Sequence, residues 1–325
     1  MSCFIVKGAG VAGLAVAHEL LRRGANVDIV DLKETIGQGS SFFAGGMLAP
    51  YCETEAAEEM VLKRGLHAAD WWDQAVPGAV TRNGTLVVAQ PRELSDLLHF
   101  ASRTTGHVWV DRDGIAALEP SLAGRFDKAL FFAAEAHLDP RRALVRLAEN
   151  IRQLGGQFHF GSRPPSTKNC SVILDCTGPA AIAHMRGLRG VRGEMLHLET
   201  GEVSLSRPVR MLHPRHPIYV VPRDNHRFMV GATMIEMDDD GPISARSLME
   251  LLNAAYALHP AFGEARVVET GVGIRPAFTD NAPRVVETTE GLAIAGMYRH
   301  GFLLAPAMAV SAATRLSKGL RFTKE

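Results

Sequence analysis

The residues best suited to chemistry come first in the chain. Residues 8–13 read Gly-Ala-Gly-Val-Ala-Gly, a G-x-G-x-x-G pattern between an apolar run at 2–7 and a helical stretch at 14–23. The first glycine permits a tight turn, the second lets a pyrophosphate approach the backbone, and the third lets the helix pack on the sheet. The spacing therefore predicts a dinucleotide site at a helix N-terminus, where N–H groups are free and the local charge is partly positive.

A carboxylate completes this pattern. Residues 27–30 are typical of a second strand, and Asp31 follows at its end, where it can accept hydrogen bonds from ribose hydroxyls. A βαβ unit that binds nothing is the alternative. The strand, turn, helix, second strand and acid all occur in order, which favours the binding site.

Two later segments also suit ligand binding. Residues 40–50 contain two serines and a Gly-Gly pair, which allow close approach of the backbone to a ligand. Arg275 stands between Ile274 and Pro276 at a predicted strand end. Its position favours a functional role, with a surface or interdomain salt bridge as the alternative.

The composition excludes several classes of protein. The chain has 325 residues, 35 basic and 35 acidic, so its formal net charge is zero, which argues against nucleic acid or an anionic membrane as a partner. The apolar run at 302–313 is shorter than the ~20 residues that span a bilayer. We expect a soluble, cytoplasmic enzyme. The four cysteines form no C-x-x-C pair, which predicts reduced thiols and no metal site.

The elements that must position these residues fall into two interleaved groups. Nucleotide-fold patterns occur first, in the middle and last, while consecutive strands at 208–212, 218–222 and 227–232 predict an antiparallel sheet. Asp139 and Ser244 are expected to cap helices that follow them, and the last helix is expected at 307–316. The prediction is an α/β fold, with a Rossmann-like domain at 1–80, 133–193 and 273–325 and an α+β substrate domain at 81–132 and 194–272.

Four segments together resemble one family. They are the N-terminal fingerprint, the Ser-Ser…Gly-Gly-Met-Leu stretch at 40–48, the Tyr…Gly-Ala-Thr-Met stretch at 219–234, and the pair 273–276 with 296–306. The chain is similar to the FAD-dependent D-amino-acid oxidase family, and within it to the glycine oxidases of thiamine biosynthesis. The resemblance runs nearly end to end and implies a Rossmann-like FAD-binding domain with FAD held non-covalently, because residues 291–325 contain no cysteine.

The resemblance also implies roles for individual residues. Arg275 would bind the substrate carboxylate through a bidentate pair, and Tyr219 would add a hydrogen bond. Arg299 would lie beside substrate and flavin, while Met47 and Met234 would line the pocket. Pro306 would lie in the first turn of the last helix, whose N-terminus would face the flavin pyrimidine. The FAD-binding residues would be Gly8, Gly10, Val11, Ala12, Gly13, Asp31, Leu32, Ser40, Ser41, Gly45, Gly46, Met47, Pro164, Thr177, Gly178, Met297, Tyr298, Arg299, His300, Gly301, Phe302 and Leu303.

The implied reaction is oxidative deamination of glycine or a similar small amino acid. A hydride would pass from the α-carbon to flavin N5, O₂ would become H₂O₂, and the imine would go to a thiazole-forming enzyme. A homo-oligomer is implied. The alternatives are a D-amino-acid or sarcosine dehydrogenase that uses another acceptor, an NAD-dependent dehydrogenase, and a flavoprotein without turnover or acting on nucleic acid. The sequence leaves open the preferred amino acid, since a methyl group is worth only ~1–3 kcal/mol. It also leaves open whether His216 or the loop at 238–240 takes part.

Overall fold

A computed structural model describes residues 3–55, 59–161 and 172–322, with side chains up to residue 317. In this part of the chain the strands are β1 (Cys3–Lys7), β2 (Asn26–Asp31), β3 (Met47–Leu48), β4 (Val80–Thr81), β5 (Thr85–Ala89), β6 (Val108–Asp111), β7 (Lys128–Phe132), β8 (Ala136–Leu138), β9 (Gln157–Phe160), β10 (Val172–Asp175), β11 (Arg189–Glu199), β12 (Val209–Leu212), β13 (Ile218–Arg223), β14 (Arg227–Gly231), β15 (Arg266–Ala277), β16 (Arg284–Thr288) and β17 (Gly291–Ala295).

The described residues also form α-helices, which lie among these strands in chain order. Two helix caps predicted from sequence are confirmed: the Asp139 side chain accepts from the N–H groups of Arg141 and Arg142, and Ser244 accepts from that of Ser247. The helices are α1 (Val11–Arg22), α2 (Pro50–Glu53), α3 (Glu59–Gly65), α4 (Ala68–Ala75), α5 (Leu94–Arg103), α6 (Arg112–Leu118), α7 (Pro140–Gln153), α8 (Ala245–Leu258) and α9 (Gly301–Phe322).

The nucleotide-binding part is a six-stranded sheet in the order β16-β17-β10-β1-β2-β9. All its neighbouring strands run parallel except β16, which is antiparallel to β17. Helices α1, α7 and α9 share one apolar core with the buried faces of β1, β2 and β17. The sheet is assembled from three separate stretches of sequence, as the predicted interleaving requires, and it confirms the α/β fold class.

The second part is an eight-stranded sheet in the order β15-β11-β14-β13-β12-β5-β7-β6. The strands β12, β13 and β14 pair antiparallel, as the sequence predicts, while β12 and β5 run parallel. A small antiparallel sheet, β3-β8-β4, contributes Met47. The predicted domain boundaries at 193/194 and 272/273 fall within β11 and β15, and the division into domains remains a prediction.

The last helix differs from the prediction. It begins at Gly301, six residues earlier than expected, so Pro306 lies inside it and not in its first turn. Proline has no N–H and cannot donate to the carbonyl oxygen of Phe302, four residues earlier. The indole N–H of Trp72 donates to that oxygen instead, at 2.9 Å. A side chain from α4 thus lets the helix continue through proline.

Three further observations concern the described residues. Cys52 and Cys176 are buried free thiols as predicted, but Cys3 is disulfide-bonded, so the prediction of reduced thiols is wrong there. No His, Cys, Asp and Glu side chains gather in threes as a metal centre would need. None of the helices in this part of the chain has the length and apolar character to cross a membrane.

Candidate active site

A cavity of about 890 Å³ lies between the two sheets. On one side it meets the carboxyl ends of the parallel strands, where Gly8, Asp31 and Ala295 follow or end β1, β2 and β17. Ligands of open α/β sheets bind at this edge. On the other side the cavity meets side chains of the eight-stranded sheet, so it joins a nucleotide-binding edge to a surface of different chemistry.

Strand register places charged and aromatic groups on one face of the eight-stranded sheet. Arg210 pairs with Tyr219, and Tyr219 pairs with Gly231, so these residues share a face. The ring of Tyr219 fills the space above glycines: a methyl group on Gly231 would lie 3.2 Å from its Cε2 atom, and one on Gly45 would lie 2.7 Å from it. The glycines therefore make room for the tyrosine beside the cavity.

Arg275 reaches the cavity from β15. Its guanidinium lies directly over Gly193 of the neighbouring strand, where a methyl group would come within 2.2 Å of Cζ. Nη1 donates to the carbonyl oxygen of Thr233 at 2.9 Å. Among the described residues no carboxylate lies within 4.0 Å of this guanidinium. Burial lowers the pKa of Arg275, Tyr219 opposes that shift, and the like charge of Arg299 adds to it.

A cluster of charges forms the adjacent wall. Glu53, at the end of α2, faces Arg299 through two contacts, Nε to Oε2 at 3.0 Å and Nη2 to Oε1 at 3.1 Å. Arg210 Nη2 donates to the same Oε1 at 2.8 Å. Burial acts to raise the pKa of Glu53, but Arg299, Arg210 and His300 outweigh it and hold the pKa well below its usual range. The carboxylate is ionised and is shared by Arg299 and Arg210, so the three groups together keep one positive charge.

The neighbouring imidazole is neutral at pH 7. His300 is buried, and its Nδ1 lies 3.4 Å from Glu53 Oε2. Burial lowers its pKa to about 4, because the attraction of Glu53 does not offset desolvation and the nearby arginines. His300 therefore adds no positive charge, and of the three arginines that line the cavity only Arg275 lacks a carboxylate partner among the described residues.

Comparisons with known proteins decide the family. Residues 4–315 match the DAO family, described as FAD dependent oxidoreductase. The chain belongs to this family. It is 62% identical, over 96% of its length and 95% of the relative's, to a Rhizobium etli protein provisionally named thiamine biosynthesis oxidoreductase ThiO.

Two further likenesses bear on fold and organisation. The chain is 25% identical to the bifunctional protein ThiO/ThiG of Synechocystis, over 93% of its own length and 49% of that protein's. Its structure superposes on the crystal structure of glycine oxidase from Geobacillus kaustophilus with a TM-score of 0.79 and 22% identity, covering 97% of this chain and 95% of that one. The family resemblance inferred from the sequence is confirmed.

As a family member the chain uses FAD, and the glycine turn fits its pyrophosphate. A methyl group on Gly13 would lie 1.8 Å from the carbonyl oxygen of Gly8, so only glycine lets α1 begin so close to β1. The N–H of Val11 is bound by Ser41 Oγ at 3.1 Å, which fixes the 40–43 turn over the helix N-terminus. Asp31 accepts from the N–H of Ala9 at 2.7 Å and keeps lone pairs for a ribose.

The structure brings most of the predicted FAD and substrate residues to this one cavity. Leu32, 84% exposed at its rim, offers an apolar surface that a bound adenosine would cover. The predicted residues that line the cavity are Gly8, Gly10, Val11, Ala12, Asp31, Leu32, Ser40, Ser41, Gly45, Gly46, Met47, Thr177, Gly178, Tyr219, Arg275, Met297, Tyr298, Arg299, His300, Gly301, Phe302 and Leu303.

The remaining predicted residues lie elsewhere. Gly13 serves the helix–strand contact described above and does not line the cavity. Met234 is 51% exposed outside the lining, with its sulfur 3.7 Å from Arg299 Nη1. Pro164 lies outside the described residues. Of the two open questions, His216 faces Glu250 away from the cavity, whereas Asp238 and Asp240 line it.

Three residues of the site were not found from the sequence. Glu53 lies in an acidic stretch where nothing distinguishes it from Glu55. No pattern in the sequence marked Gly193, because its role is to leave room for the guanidinium of Arg275 on a neighbouring strand. The sequence did carry a signal for Arg210, which stands between Val209 and Met211 in a predicted strand. Such an arginine faces either the protein interior or a binding partner, and here it binds Glu53.

Proposed function

We propose that the chain oxidises glycine or a similarly small amino acid to its imine, with O₂ as the final electron acceptor. The observation that carries the proposal is Arg275, a cation in the FAD cavity that has no carboxylate partner among the described residues. A guanidinium placed in this way fits a carboxylate through two parallel hydrogen bonds. The name of a Geobacillus kaustophilus relative that is 28% identical over 93% of this chain, glycine oxidase, supports a substrate of this class.

The chain's residues act by holding the substrate in place. Arg275 binds the carboxylate, and the hydroxyl of Tyr219 adds a second contact from the same side. Met47 and Arg299, which is paired with Glu53, bound the remaining space, which favours a small side chain. Because the α-carbon is held in place, the entropy of orienting the substrate is lost when it binds and not in the reaction step. This can lower the activation free energy by several kcal/mol.

Bound FAD would supply the electron acceptor, for the hydride that leaves the α-carbon and then for the transfer of two electrons to O₂. The amino acid enters with a neutral amine, so loss of hydride gives the iminium ion directly, and no protein base is required at the α-carbon. Water then converts the imine to the 2-oxo acid and ammonia. Residues Thr177, Gly178 and 297–303 would hold the cofactor without a covalent bond.

The imine has a second use. The Synechocystis relative joins two activities in one chain under the name ThiO/ThiG, which supports delivery of the imine to a thiazole-forming enzyme. We include in the proposal that this chain works in thiamine biosynthesis, as a homo-oligomer in the cytoplasm. Delivery of the imine to that enzyme requires that the imine leaves the site faster than water hydrolyses it.

Anaerobic addition of glycine to the purified protein tests the proposal. The flavin absorbance near 450 nm should bleach, and admission of O₂ should restore it with one H₂O₂ per glycine consumed (roughly stoichiometric, as for other flavin oxidases). Sarcosine, D-alanine and D-proline added in parallel would rank the substrates. Bleaching that O₂ does not reverse would indicate the dehydrogenase alternative. A flavin that none of these amino acids reduces would contradict the proposal.

A further inference from the structure

Thr233 lies directly behind Arg275, just beyond the end of strand β14. Its carbonyl oxygen accepts from Arg275 Nη1 at 2.9 Å, although Thr233 itself does not line the cavity. Nη1 is a terminal nitrogen of the guanidinium, so this bond fixes how the planar group is turned. The orientation that Arg275 presents to a ligand therefore depends on where the Thr233 carbonyl is held.

A side-chain hydroxyl replaces a backbone carbonyl at this point of the sheet. The regular pairing of β11 with β14 ends at Met195 and Gly231. Beyond it, the N–H of Thr233 donates to the carbonyl oxygen of Glu194 at 3.2 Å. In a regular antiparallel pair the N–H of Glu194 would donate to the carbonyl oxygen of Thr233 in return. Here it donates to Thr233 Oγ1 at 2.9 Å, which leaves the carbonyl oxygen for Arg275.

The hydroxyl is itself held from the opposite face of β11. Side chains alternate along a strand, so Glu194 points away from the face on which Arg275 covers Gly193. Thr233 Oγ1 donates to Glu194 Oε2 at 3.3 Å, and Glu194 Oε1 accepts from Arg192 Nη2 at 2.8 Å. Burial acts to raise the pKa of Glu194, but its hydrogen bonds and the charge of Arg192 outweigh burial and lower that pKa. An ionised, fully buried carboxylate thus anchors the hydroxyl.

We propose that Thr233 is a positioning residue of the substrate site. Its hydroxyl takes the place of its own carbonyl as the acceptor for the N–H of Glu194, and the carbonyl is thereby free to orient Arg275. The inference rests on the proposed function, since it takes Arg275 as the site of the substrate carboxylate. Thr233 touches neither substrate nor cofactor and acts through Arg275.

Thr233→Val tests the hydroxyl, because valine has nearly the shape of threonine. It leaves the buried N–H of Glu194 without an acceptor, which favours return of the carbonyl of residue 233 to that N–H and away from Arg275. We expect the KM for glycine to rise about tenfold, with a smaller change in kcat. The dissociation constant of propionate, measured from perturbation of the flavin spectrum, should rise by about the same factor. The dissociation constant of FAD should stay within about twofold of the wild-type value.

Three further variants complete the design. Thr233→Ser keeps the hydroxyl and should hold the glycine and propionate constants within about threefold of wild type. Thr233→Ala also lacks the hydroxyl, and its weaker binding of propionate replaces the valine result if the valine variant does not retain FAD. Thr200→Val is the matched control: this hydroxyl accepts from the N–H of Glu202 at 3.2 Å beyond the other end of β11, so its loss should change neither constant.

A double-mutant cycle checks that the effect passes through Arg275. In the Arg275→Ala background, Thr233→Val should add little to the loss of propionate binding, because the group that it positions is already absent. A full additional loss in that background would show that Thr233 acts elsewhere, and would overturn the proposal.

The remaining outcomes separate this inference from the proposed function. Wild-type constants in FAD-loaded Thr233→Val or Thr233→Ala, or a loss in Thr233→Ser as large as in Thr233→Val, would overturn the role of the hydroxyl while glycine still reduced the flavin. If propionate does not perturb the wild-type flavin and glycine does not reduce it, Arg275 is not a carboxylate site. In that case the proposed function fails, together with the inference drawn from it.

Discussion

At the scale of single residues, the site depends on which charges are paired. Arg275 and Arg299 are the same residue type and line the same cavity, but among the described residues only Arg299 has a carboxylate partner, Glu53. A buried cation without a partner is unfavourable unless a ligand supplies the opposite charge. That Arg275 has no carboxylate partner in the described part of the chain is thus the clearest mark of a ligand in this structure.

Arg275→Ala should raise the KM for glycine by roughly 30- to 1,000-fold, since losing a bidentate charge-assisted contact costs about 2–4 kcal/mol. Flavin content should stay at the wild-type level, because the glycine turn that fits FAD is unchanged. Arg275→Lys should recover only part of the loss, as an ammonium ion cannot reproduce the two parallel hydrogen bonds. Steady-state kinetics and the flavin-to-protein absorbance ratio measure both effects.

Arg284→Ala is the matched control for this prediction. Arg284 is an exposed arginine that pairs with Asp280 on the surface, so its loss should leave the KM unchanged. Wild-type kinetics in the Arg275 variants would remove Arg275 from the substrate site.

At the scale of elements, α9 shows how a neighbouring helix supplies a hydrogen bond that a proline in the helix cannot make. The sequence predicted this helix at 307–316, with Pro306 suited to its first turn. Trp72 from α4 donates to the carbonyl oxygen that Pro306 leaves free, and its ring stacks on Phe302 at 5.5 Å between centroids. The helix can therefore begin at Gly301, which brings its N-terminus to the cavity.

Trp72→Phe should destabilise the protein by about 1–3 kcal/mol through the unsatisfied Phe302 carbonyl, in addition to the loss of packing. In the Pro306→Ala background, the part of this loss that comes from the unsatisfied carbonyl should largely vanish, because the new N–H of residue 306 can donate to the carbonyl oxygen of Phe302. Urea unfolding of the four proteins in a double-mutant cycle isolates that term, since the packing loss cancels. Equal losses in both backgrounds would show that the Trp72 hydrogen bond does not compensate for proline.

At the scale of the whole molecule, the buried histidines set the dependence of stability on pH. Burial, the largest cause in each case, lowers the pKa of His137, His197 and His300 to about 4, from an ordinary value of 6.5. Between pH 4 and pH 6.5 these three histidines are protonated in the unfolded chain and neutral in the folded chain, so the unfolded chain binds three more protons. Burial raises the pKa of Glu135 to about 7, from an ordinary value of 4.5. Between these two pH values the folded chain therefore binds one proton at Glu135 that the unfolded chain does not.

The three histidines outweigh the one glutamate, so the free energy of unfolding should fall as pH falls from 6.5 to about 4. Each histidine contributes about 1.4 kcal/mol per pH unit at most. His137→Gln should reduce this slope by roughly that amount, whereas a substitution of the exposed His99 should not. Denaturant unfolding at pH 7, 6 and 5 provides the comparison, and an identical slope in His137→Gln and the wild-type protein would contradict the assignment.

Much of this architecture follows from local sequence. The turn at 8–13, the caps at Asp139 and Ser244, and the antiparallel run from β12 to β14 were predicted because each depends on neighbours a few residues apart. The N-terminal dinucleotide fingerprint was recognised in the same way, from a spacing fixed by a strand, a turn and a helix, whereas the FAD family was reached from the resemblance of four segments to that family.

Other features were decided by the tertiary structure alone. Glu53 meets Arg210 and Arg299 from positions 157 and 246 residues away, and Trp72 meets Phe302 across 230 residues. The charge of a guanidinium in a cavity depends on what lies within a few ångströms of it, and sequence spacing does not encode that distance. The sequence, through its resemblance to a family, thus predicted that this chain binds FAD and named Arg275 and Arg299 as candidates for the substrate site, while the packing of the two sheets decided which of the two has a carboxylate partner among the described residues.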